Sequence, residues 1–306
     1  MIKSKFNKDS TAEDVTQGID LTGKNIVITG INSGLGQESM RVLEMRGAHI
    51  IGTARTIEKA KTAAEQNGGN ITPLACELSD FASVKQCADA IKQLPGPVDA
   101  LICNAGIMAL PKLELKNGVE QQFNTNHLGH FILVHNLLEK IKLSDQGRIV
   151  MLSSVAHKMA PLEGIDFDNL DGSNGYKDWA FYGQSKLANL LTAVAATKRL
   201  EGSGATANAV HPGIIRTNLS RNLTGLQGFA MGNPITSWFV GKMMGSKTVP
   251  QGAATECYVA TAAELNEVSG RYFDDNNEAR PSRHGQNEEL ADRLWDYSCG
   301  AVKEFI

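Results

Sequence analysis

A tyrosine and a lysine stand four residues apart in the segment FYGQSKLANLL, at Tyr182 and Lys186. On a helix this spacing places both side chains on one face, one turn apart. An ammonium group beside a phenol favours the phenolate, so we expect Lys186 to lower the pKa of Tyr182. A phenol tuned in this way would exchange protons at neutral pH. This spacing alone is found more often on an ordinary exposed helix. Other segments of the sequence must therefore show whether Tyr182 and Lys186 have a chemical role.

A glycine-rich turn, TGINSGLG, follows an apolar run at residues 24–30. Such a turn lets a pyrophosphate approach the backbone, where the next helix offers free N–H groups and the positive end of its dipole. A glycine-rich turn without a ligand is the alternative, but the position between a first strand and a helix favours a dinucleotide. The predicted contacts are Gly30, Asn32, Ser33, Gly34, Leu35 and Gly36.

The end of the second predicted strand indicates which dinucleotide binds. The segment GTART places Ala54 and Arg55 where an NAD site usually has an acid for the ribose 2′-OH. A guanidinium binds a phosphate through two hydrogen bonds, so we predict NADP(H) in preference to NAD(H). Alternatively, Arg55 is a solvated residue at a helix start. Glu77, which precedes Leu78 at the end of the third strand, would accept from the adenine amino group or be a surface acid.

Apolar runs that alternate with helical patterns must position these residues. The predicted strands are 24–30, 48–55, 70–78, 98–106, 147–154, 204–213 and 269–275, and the predicted helices include 36–47, 56–69, 79–96, about 118–141 and about 181–201. Near-continuous apolar strands between helices predict a parallel sheet covered on both faces, and right-handed crossovers make it doubly wound. We therefore predict an α/β, single-domain Rossmann-type fold of about seven strands over residues 19–306, after an N-terminal arm at 1–18.

Two segments interrupt the alternation. Residues 155–180 form a polar insertion. Residues 214–247 are interpreted as an apolar flap over a substrate pocket, although their large side chains would also suit a core. Those side chains are Leu219, Leu223, Leu226, Phe229, Met231, Trp238, Phe239, Met243 and Met244.

The composition excludes several classes of protein. The net charge of -3 gives no field that would recruit nucleic acid or anionic lipid, and no apolar run is long enough to cross a bilayer. The polar start of the sequence has no apolar signal core, so we expect a cytoplasmic protein. Five scattered cysteines and three histidines on one helix, His127, His130 and His135, lack metal-site spacing. We expect the histidines to be packing residues, and we expect no metal.

Six short segments occur in an order that resembles the short-chain dehydrogenase/reductase family over residues 20–285. They are TGINSGLG, CNAG at 103–106, NTNHLGHF at 124–131, VMLSSVAH at 150–157, YGQSK at 182–186 and HPGIIRT at 211–217. The forms NHLGHF, SSVAH, YGQSKLAN and HPG resemble the retinol-dehydrogenase-like and WW-domain-oxidoreductase-like branch. Glu77 departs from the Asp that is common in the family, which puts the adenine contact in doubt.

The resemblance implies a role for each of four residues. Tyr182 would be the general acid and base, and Lys186 would lower its pKa and bind the nicotinamide ribose. Ser154, favoured over its neighbour Ser153, would hydrogen-bond the substrate carbonyl oxygen. Asn126 would hold a water that relays protons through Lys186. Further cofactor contacts are implied for Asn104, Ala105, Gly106, Pro212, Gly213 and Thr217.

These expectations combine into an NADPH-dependent carbonyl reductase, reversible as an alcohol dehydrogenase, that acts on a hydrophobic ketone or aldehyde. A reductase of an activated double bond and a non-catalytic NADP(H)-sensing protein are the alternatives. The resemblance also implies a homo-oligomer, a dimer or tetramer, formed through the two long helices. The apolar run FILVHNLL fits that interface, but it would equally fit a helix face turned toward the sheet.

Overall fold

An eight-stranded sheet lies at the centre of the computed structural model, which describes residues 1–215 and 246–306. The predicted cofactor residue Thr217 and the apolar side chains of the predicted flap lie outside the described residues. The strands of the sheet are β1 Asn25–Thr29, β2 His49–Ala54, β3 Ile71–Ala75, β4 Ala100–Cys103, β7 Arg148–Leu152, β8 Thr206–His211, β9 Tyr272–Asp274 and β10 Asn277–Glu278. A separate hairpin comprises β5 Leu115–Lys116 and β6 Val119–Glu120.

The strand order is β10-β9-β8-β7-β4-β1-β2-β3. Every neighbouring pair is parallel except β9 and β10. The chain builds outward from β1 through β2 to β3, then crosses back to place β4 on the other side of β1. Ligands of such sheets bind outside the carboxyl ends of the strands at this point of reversal.

Helices cover both faces of the sheet. In the described chain they are α1 Ala12–Val15, α2 Gly34–Met45, α3 Ile57–Asn67, α4 Phe81–Gln93, α5 Gln121–Phe123, α6 Gly129–Lys142, α7 Asp178–Arg199, α8 Val249–Thr261 and α9 Glu288–Ala301. One apolar core joins the sheet to α4, α6, α7 and α9, and the other joins it to α1, α2 and α8. The predicted doubly wound Rossmann-type fold is confirmed, with the short β10 as an additional strand.

The helix predicted at 118–141 is not continuous. It consists of α5, a π-helical turn at Asn124–Leu128, and α6. The Asn126 side chain in this turn hydrogen-bonds both backbone groups of Ile107, accepting from its N–H at 2.8 Å and donating to its carbonyl at 2.9 Å. A local pattern cannot predict this interruption because Ile107 lies outside the helix.

The C-terminal helix α9 packs along α7 and contacts α6 through Trp295. These are the two helices through which the resemblance implies self-association. Trp295 is buried, with its ring 4.8 Å from that of Phe131 on α6 and 4.0 Å from the Arg199 guanidinium on α7. The sequence interpretation did not include this helix. The run FILVHNLL is accordingly covered by elements of the same chain.

The first residues of the chain also make defined contacts. The Ile2 N–H donates to the Glu278 carboxylate at 2.7 Å, and the Phe6 ring packs edge-on against Tyr258. Among residues 1–215 and 246–306, no helix combines the length and the apolar character that a membrane span requires.

Candidate active site

A cleft of about 340 Å³ opens at the carboxyl ends of β1, β2, β3 and β4, where the sheet order reverses. It is lined by most of the predicted cofactor residues, namely Gly30, Asn32, Ser33, Gly34, Leu35, Arg55, Glu77, Leu78, Asn104, Ala105 and Gly106. Gly36 lies one residue further into α2. The structure thus brings the predicted dinucleotide residues together around one cavity.

The glycines of the turn allow its backbone to pack closely on itself and on Asn104. Gly30 and Gly34 have φ angles of 80° and 62°, a conformation that other residues rarely adopt. A Cβ atom on Gly36 would lie 2.5 Å from both the Gly30 carbonyl oxygen and the Asn104 amide nitrogen. The Ser33 side chain makes no capping hydrogen bond to α2, so the first N–H groups of this helix face the turn. This arrangement suits a pyrophosphate.

Asn104 connects the ends of two strands beneath the cleft. Its side-chain amide donates to the Thr29 carbonyl at 2.8 Å. The backbone N–H groups of Asn104 and Ala105 both donate to the Thr29 hydroxyl at 3.0 Å. These bonds fix the edge of the cleft where β1 and β4 end.

Arg55 and Glu77 are partners rather than independent contacts. The Arg55 Nε atom lies 3.1 Å from one oxygen of the Glu77 carboxylate. The other oxygen accepts from the N–H and the hydroxyl of Ser79. The Glu77 carboxylate, which was expected to contact adenine, is therefore already paired with Arg55 and Ser79. Lys59, which the sequence interpretation missed, lines the same cleft, and its position one helical turn after Arg55 was the available signal.

Tyr182 and Lys186 lie on α7 with both side chains buried, 4% and 2% exposed. The Lys186 ammonium donates to the Leu152 carbonyl at 3.0 Å, where β7 ends, and lies 5.8 Å from the centre of the Tyr182 ring. Ser154 follows β7, and its hydroxyl accepts from the Ala156 N–H at 3.1 Å and lies close enough to the Tyr182 phenol to lower its pKa. Two hydroxyl groups and one amine are thus close together.

Burial controls the protonation of this pair. It raises the pKa of Tyr182 to about 12, an effect that the nearby Ser154 hydroxyl only partly offsets. It also lowers the pKa of Lys186 to about 8. The sequence-based expectation of a lowered Tyr182 pKa is wrong for this structure. The amine lies against a carbonyl rather than against the phenol oxygen, and the loss of water outweighs its charge.

The two adjacent serines have different partners. The Ser153 hydroxyl is buried and donates to the backbone carbonyl of Lys186 at 2.8 Å, so it joins β7 to α7. The Ser154 hydroxyl faces Tyr182 instead. Successive side chains near the end of a strand point to opposite faces, which explains the division. This geometry supports Ser154 as the residue that would meet a substrate.

Asn126 is held next to the same group. Its side-chain amide also donates to the Ser185 hydroxyl at 2.9 Å, and Ser185 in turn donates to the Tyr182 carbonyl at 2.8 Å. A Cβ atom on Gly106 would approach the Asn126 Oδ1 to 3.0 Å and the Lys186 ammonium to 3.4 Å. The four predicted catalytic residues are therefore assembled in one place.

The chain that follows β8 lies at the other end of the site. His211 accepts from the Val155 N–H at 3.3 Å, which ties β8 to the segment after Ser154. After Pro212, Gly213 has a φ angle of 92°, and the Lys247 side chain packs over it. Lys247 is buried and pairs with Asp275 at 2.6 Å. The sequence interpretation missed this pair because its members lie on separate elements.

The fold and the assembled side chains define an oxidoreductase of the short-chain dehydrogenase type. A family model described as short chain dehydrogenase matches residues 24–166. A Brassica napus protein named short-chain dehydrogenase TIC 32 B, chloroplastic, is 44% identical over 98% of this chain and 95% of its own length. The chain belongs to the short-chain dehydrogenase/reductase family, whose members bind a nicotinamide cofactor.

Other relatives define the branch and the fold. Human retinol dehydrogenase 13 is 38% identical over 92% of this chain and 85% of its own length. The chain therefore belongs to the retinol-dehydrogenase-like branch, as its motifs predict. A solved structure of an uncharacterised Mycobacterium paratuberculosis protein has a TM-score of 0.75 and 31% identity, covering 94% of this chain and 97% of that one. The expected cytoplasmic location remains a prediction, since the Brassica relative is named as chloroplastic.

Gly183, next to Tyr182, allows the segment after Ser154 to contact α7. A Cβ atom there would lie 2.6 Å from the Ala156 carbonyl oxygen and 2.9 Å from the Ala160 nitrogen. We predict that Gly183→Ala lowers the free energy of unfolding by about 1–3 kcal/mol, because rigid backbone must move to admit the methyl group. Urea unfolding measures the change.

Gly300→Ala is the matched control, since Gly300 also lies in a helix but has no neighbouring atom within 4 Å of the added Cβ. Its unfolding free energy should stay unchanged or rise slightly, as alanine favours helix. Equal destabilisation by the two substitutions would contradict the proposed contact.

Proposed function

We propose that this oxidoreductase is an NADPH-dependent carbonyl reductase, reversible as an alcohol dehydrogenase, that acts on hydrophobic ketones or aldehydes. The observation that carries the proposal is the placement of the Ser154 and Tyr182 hydroxyl groups beside the buried amine of Lys186. Two hydroxyl donors at one point suit a carbonyl oxygen that gains negative charge.

The residues around the cleft fit a nicotinamide dinucleotide. The left-handed turns at Gly30 and Gly34 and the uncapped N-terminus of α2 suit a pyrophosphate. Arg55 and Lys59 place two cations beside the cleft for a 2′-phosphate. When bound, the dinucleotide supplies the hydride. Tyr182 and Lys186 lie beyond Gly106, at the end of the cleft away from these cations.

The protonation of Tyr182 favours the direction of reduction. With a pKa of about 12, its phenol is neutral near pH 7 and is a proton donor without further activation. Ser154 would orient the carbonyl oxygen towards that proton. Lys186 has a pKa of about 8, so near pH 7 it is charged and stabilises the phenolate left after proton transfer. Asn126 would hold the water that returns a proton through Lys186.

One apolar side chain contacts Tyr182, and three partly exposed ones lie on the segments next to Ser154, Gly183 and Gly213. The Trp179 ring packs edge-on against the Tyr182 ring at 5.9 Å. Val155 and Ile214, which follow Ser154 and Gly213 in sequence, are 45% and 38% exposed. Met159, on the turn that contacts Gly183, is 50% exposed. These apolar groups support a hydrophobic substrate.

The packing of α9 bears on self-association. Because α9 packs along α7 and Trp295 contacts α6 within one chain, we propose that any homo-oligomer uses a surface other than the face of α7 that α9 occupies. The proposed partners are small carbonyl or alcohol substrates and NADP(H), and the proposal involves no nucleic acid.

Replacing the proposed acid tests the chemistry. We predict that Tyr182→Phe lowers kcat for hydrophobic ketones and aldehydes about 10²- to 10⁴-fold, because the proton donor is lost. NADPH affinity, measured by fluorescence titration, should remain within about threefold, since the phosphate and adenosine contacts lie elsewhere. Product analysis distinguishes the alcohol of carbonyl reduction from the product of double-bond reduction.

Tyr297→Phe is the control for removing a phenol hydroxyl, because Tyr297 lies on α9 away from the site. Its kcat should match that of the unsubstituted protein. Near-normal turnover by Tyr182→Phe would contradict the mechanism. Cofactor binding without turnover by the unsubstituted protein, over a broad carbonyl panel, would favour the NADP(H)-sensing alternative.

The cations beside the cleft test the cofactor preference. We predict that Arg55→Ala and Lys59→Ala each weaken NADPH binding, with Arg55→Ala raising the Kd about 10- to 100-fold. NADH binding should change little because NADH has no 2′-phosphate. Fluorescence titrations with both cofactors give the ratio of the two Kd values.

Lys61→Ala removes a charge from the same helix without altering the cleft lining, so it should leave that ratio unchanged. A ratio that is equally insensitive to Arg55→Ala would contradict the assignment of NADPH preference.

A further inference from the structure

His130 is a fully buried histidine that contacts both halves of the site. Its Nδ1 atom lies 2.9 Å from the backbone carbonyl oxygen of Asn126, and its Nε2 atom lies 2.9 Å from the Thr29 hydroxyl. Thr29 ends β1 at the dinucleotide cleft, and Asn126 lies in the π-helical turn beside Lys186. One imidazole ring therefore spans the two regions.

The partners fix the position of the proton on the ring. A carbonyl oxygen only accepts, so Nδ1 carries the hydrogen. Burial, together with the nearby charge of Lys186, lowers the pKa of His130 to about 4 although the bond to the Asn126 carbonyl opposes the shift, so the ring is neutral near pH 7. Nε2 must then accept, and the Thr29 hydroxyl donates to it. That hydroxyl also accepts from the N–H groups of Asn104 and Ala105. The Ile102 carbonyl lies 3.5 Å from it, farther than His130 Nε2 at 2.9 Å, so the ring nitrogen is the better acceptor for its one hydrogen.

Packing alone does not account for these contacts. Phe131 and Val134, on the same helix, are equally buried with apolar side chains. An imidazole at such a site is costly unless its nitrogens are paired. Both of its hydrogen bonds go to groups that border the proposed active site, rather than to the ends of α6.

We propose that His130 is a positioning residue for the reaction, an inference that rests on the proposed function. It holds the Asn126 backbone at a fixed distance from the ends of β1 and β4. The Asn126 side chain then keeps its bonds to Ile107 and Ser185, and Ser185 holds the α7 turn that carries Tyr182. The bond from Nδ1 maintains catalytic geometry, whereas the bond to Nε2 anchors the ring.

Two amide substitutions separate the two hydrogen bonds. In His130→Asn the amide nitrogen lies near the position of Nδ1 and is able to donate to the Asn126 carbonyl. In His130→Gln the longer amide reaches towards Thr29 instead. We expect His130→Gln to lower kcat about 10- to 100-fold, as a small displacement at the site would, while NADPH affinity changes less than about twofold. His130→Asn should keep at least about half of kcat.

An amide-exchange measurement makes the test independent of turnover. The Ile107 N–H donates to the Asn126 side chain, so its hydrogen exchange by NMR reports whether that side chain stays in place. Exchange should become at least about tenfold faster in His130→Gln and remain near the original rate in His130→Asn. If the unsubstituted protein has no carbonyl turnover, the proposed function fails, and the exchange rates still decide the role of His130.

Ser298→Ala is the stability control. Ser298, on α9, pairs at 2.8 Å with the other fully buried histidine, His127, so its loss also disrupts a buried histidine hydrogen bond. It should lower the unfolding temperature without changing kcat or Ile107 exchange.

Equal kcat and equal Ile107 exchange in His130→Asn and His130→Gln would overturn the proposal. If His130→Gln does not fold, His130→Asn is compared with His130→Phe instead. An equal loss of kcat in these two variants would also overturn the proposal.

Discussion

Lys186 places an amine where almost no water reaches it, and the arrangement of the site depends on how that amine is accommodated. A buried ammonium group is costly unless polar groups replace its hydration. Here the carbonyl of Leu152 accepts from Lys186 and also from Asn189, one turn further along α7. Gly106 leaves the space beside the amine. Burial still lowers the pKa of Lys186 to about 8, so the group remains charged near pH 7 but by a small margin.

This arrangement links the protonation of Tyr182 to the burial of Lys186. Tyr182 loses its water in the same pocket, and its phenol is held protonated. In the proposed mechanism, the protonated phenol would be a proton donor, and the nearby Lys186 cation would stabilise the phenolate that forms. Oxidation of an alcohol needs the reverse, a phenolate at the start. That direction requires positive charge or hydrogen-bond donors in addition to those that the described residues supply.

The alternation of strands and helices was sufficient to predict the fold, because each of the seven predicted strands is an apolar run with its own turn signals. The glycine turn and the order of motifs also predicted which residues would gather at the sheet edge. The failures involve partners distant in sequence. Asn126 interrupts a predicted helix through bonds to Ile107, and Glu77 meets Arg55 instead of remaining available for adenine. The pKa of Tyr182 moved in the opposite direction to that expected, because burial is a property of the assembled core.

Burial, rather than Lys186 alone, sets the acidity of Tyr182, and oxidation of an alcohol therefore requires bound NADP⁺ to lower the pKa of Tyr182. The direct measurement is an NMR titration of ¹³C-labelled tyrosine, with Tyr182→Phe used to assign the signal, in the absence and presence of NADP⁺. We predict a phenol that titrates near pH 12 without cofactor and at least about one to three pH units lower with it. A pKa already near neutrality without cofactor, or one that NADP⁺ leaves unchanged, would contradict it.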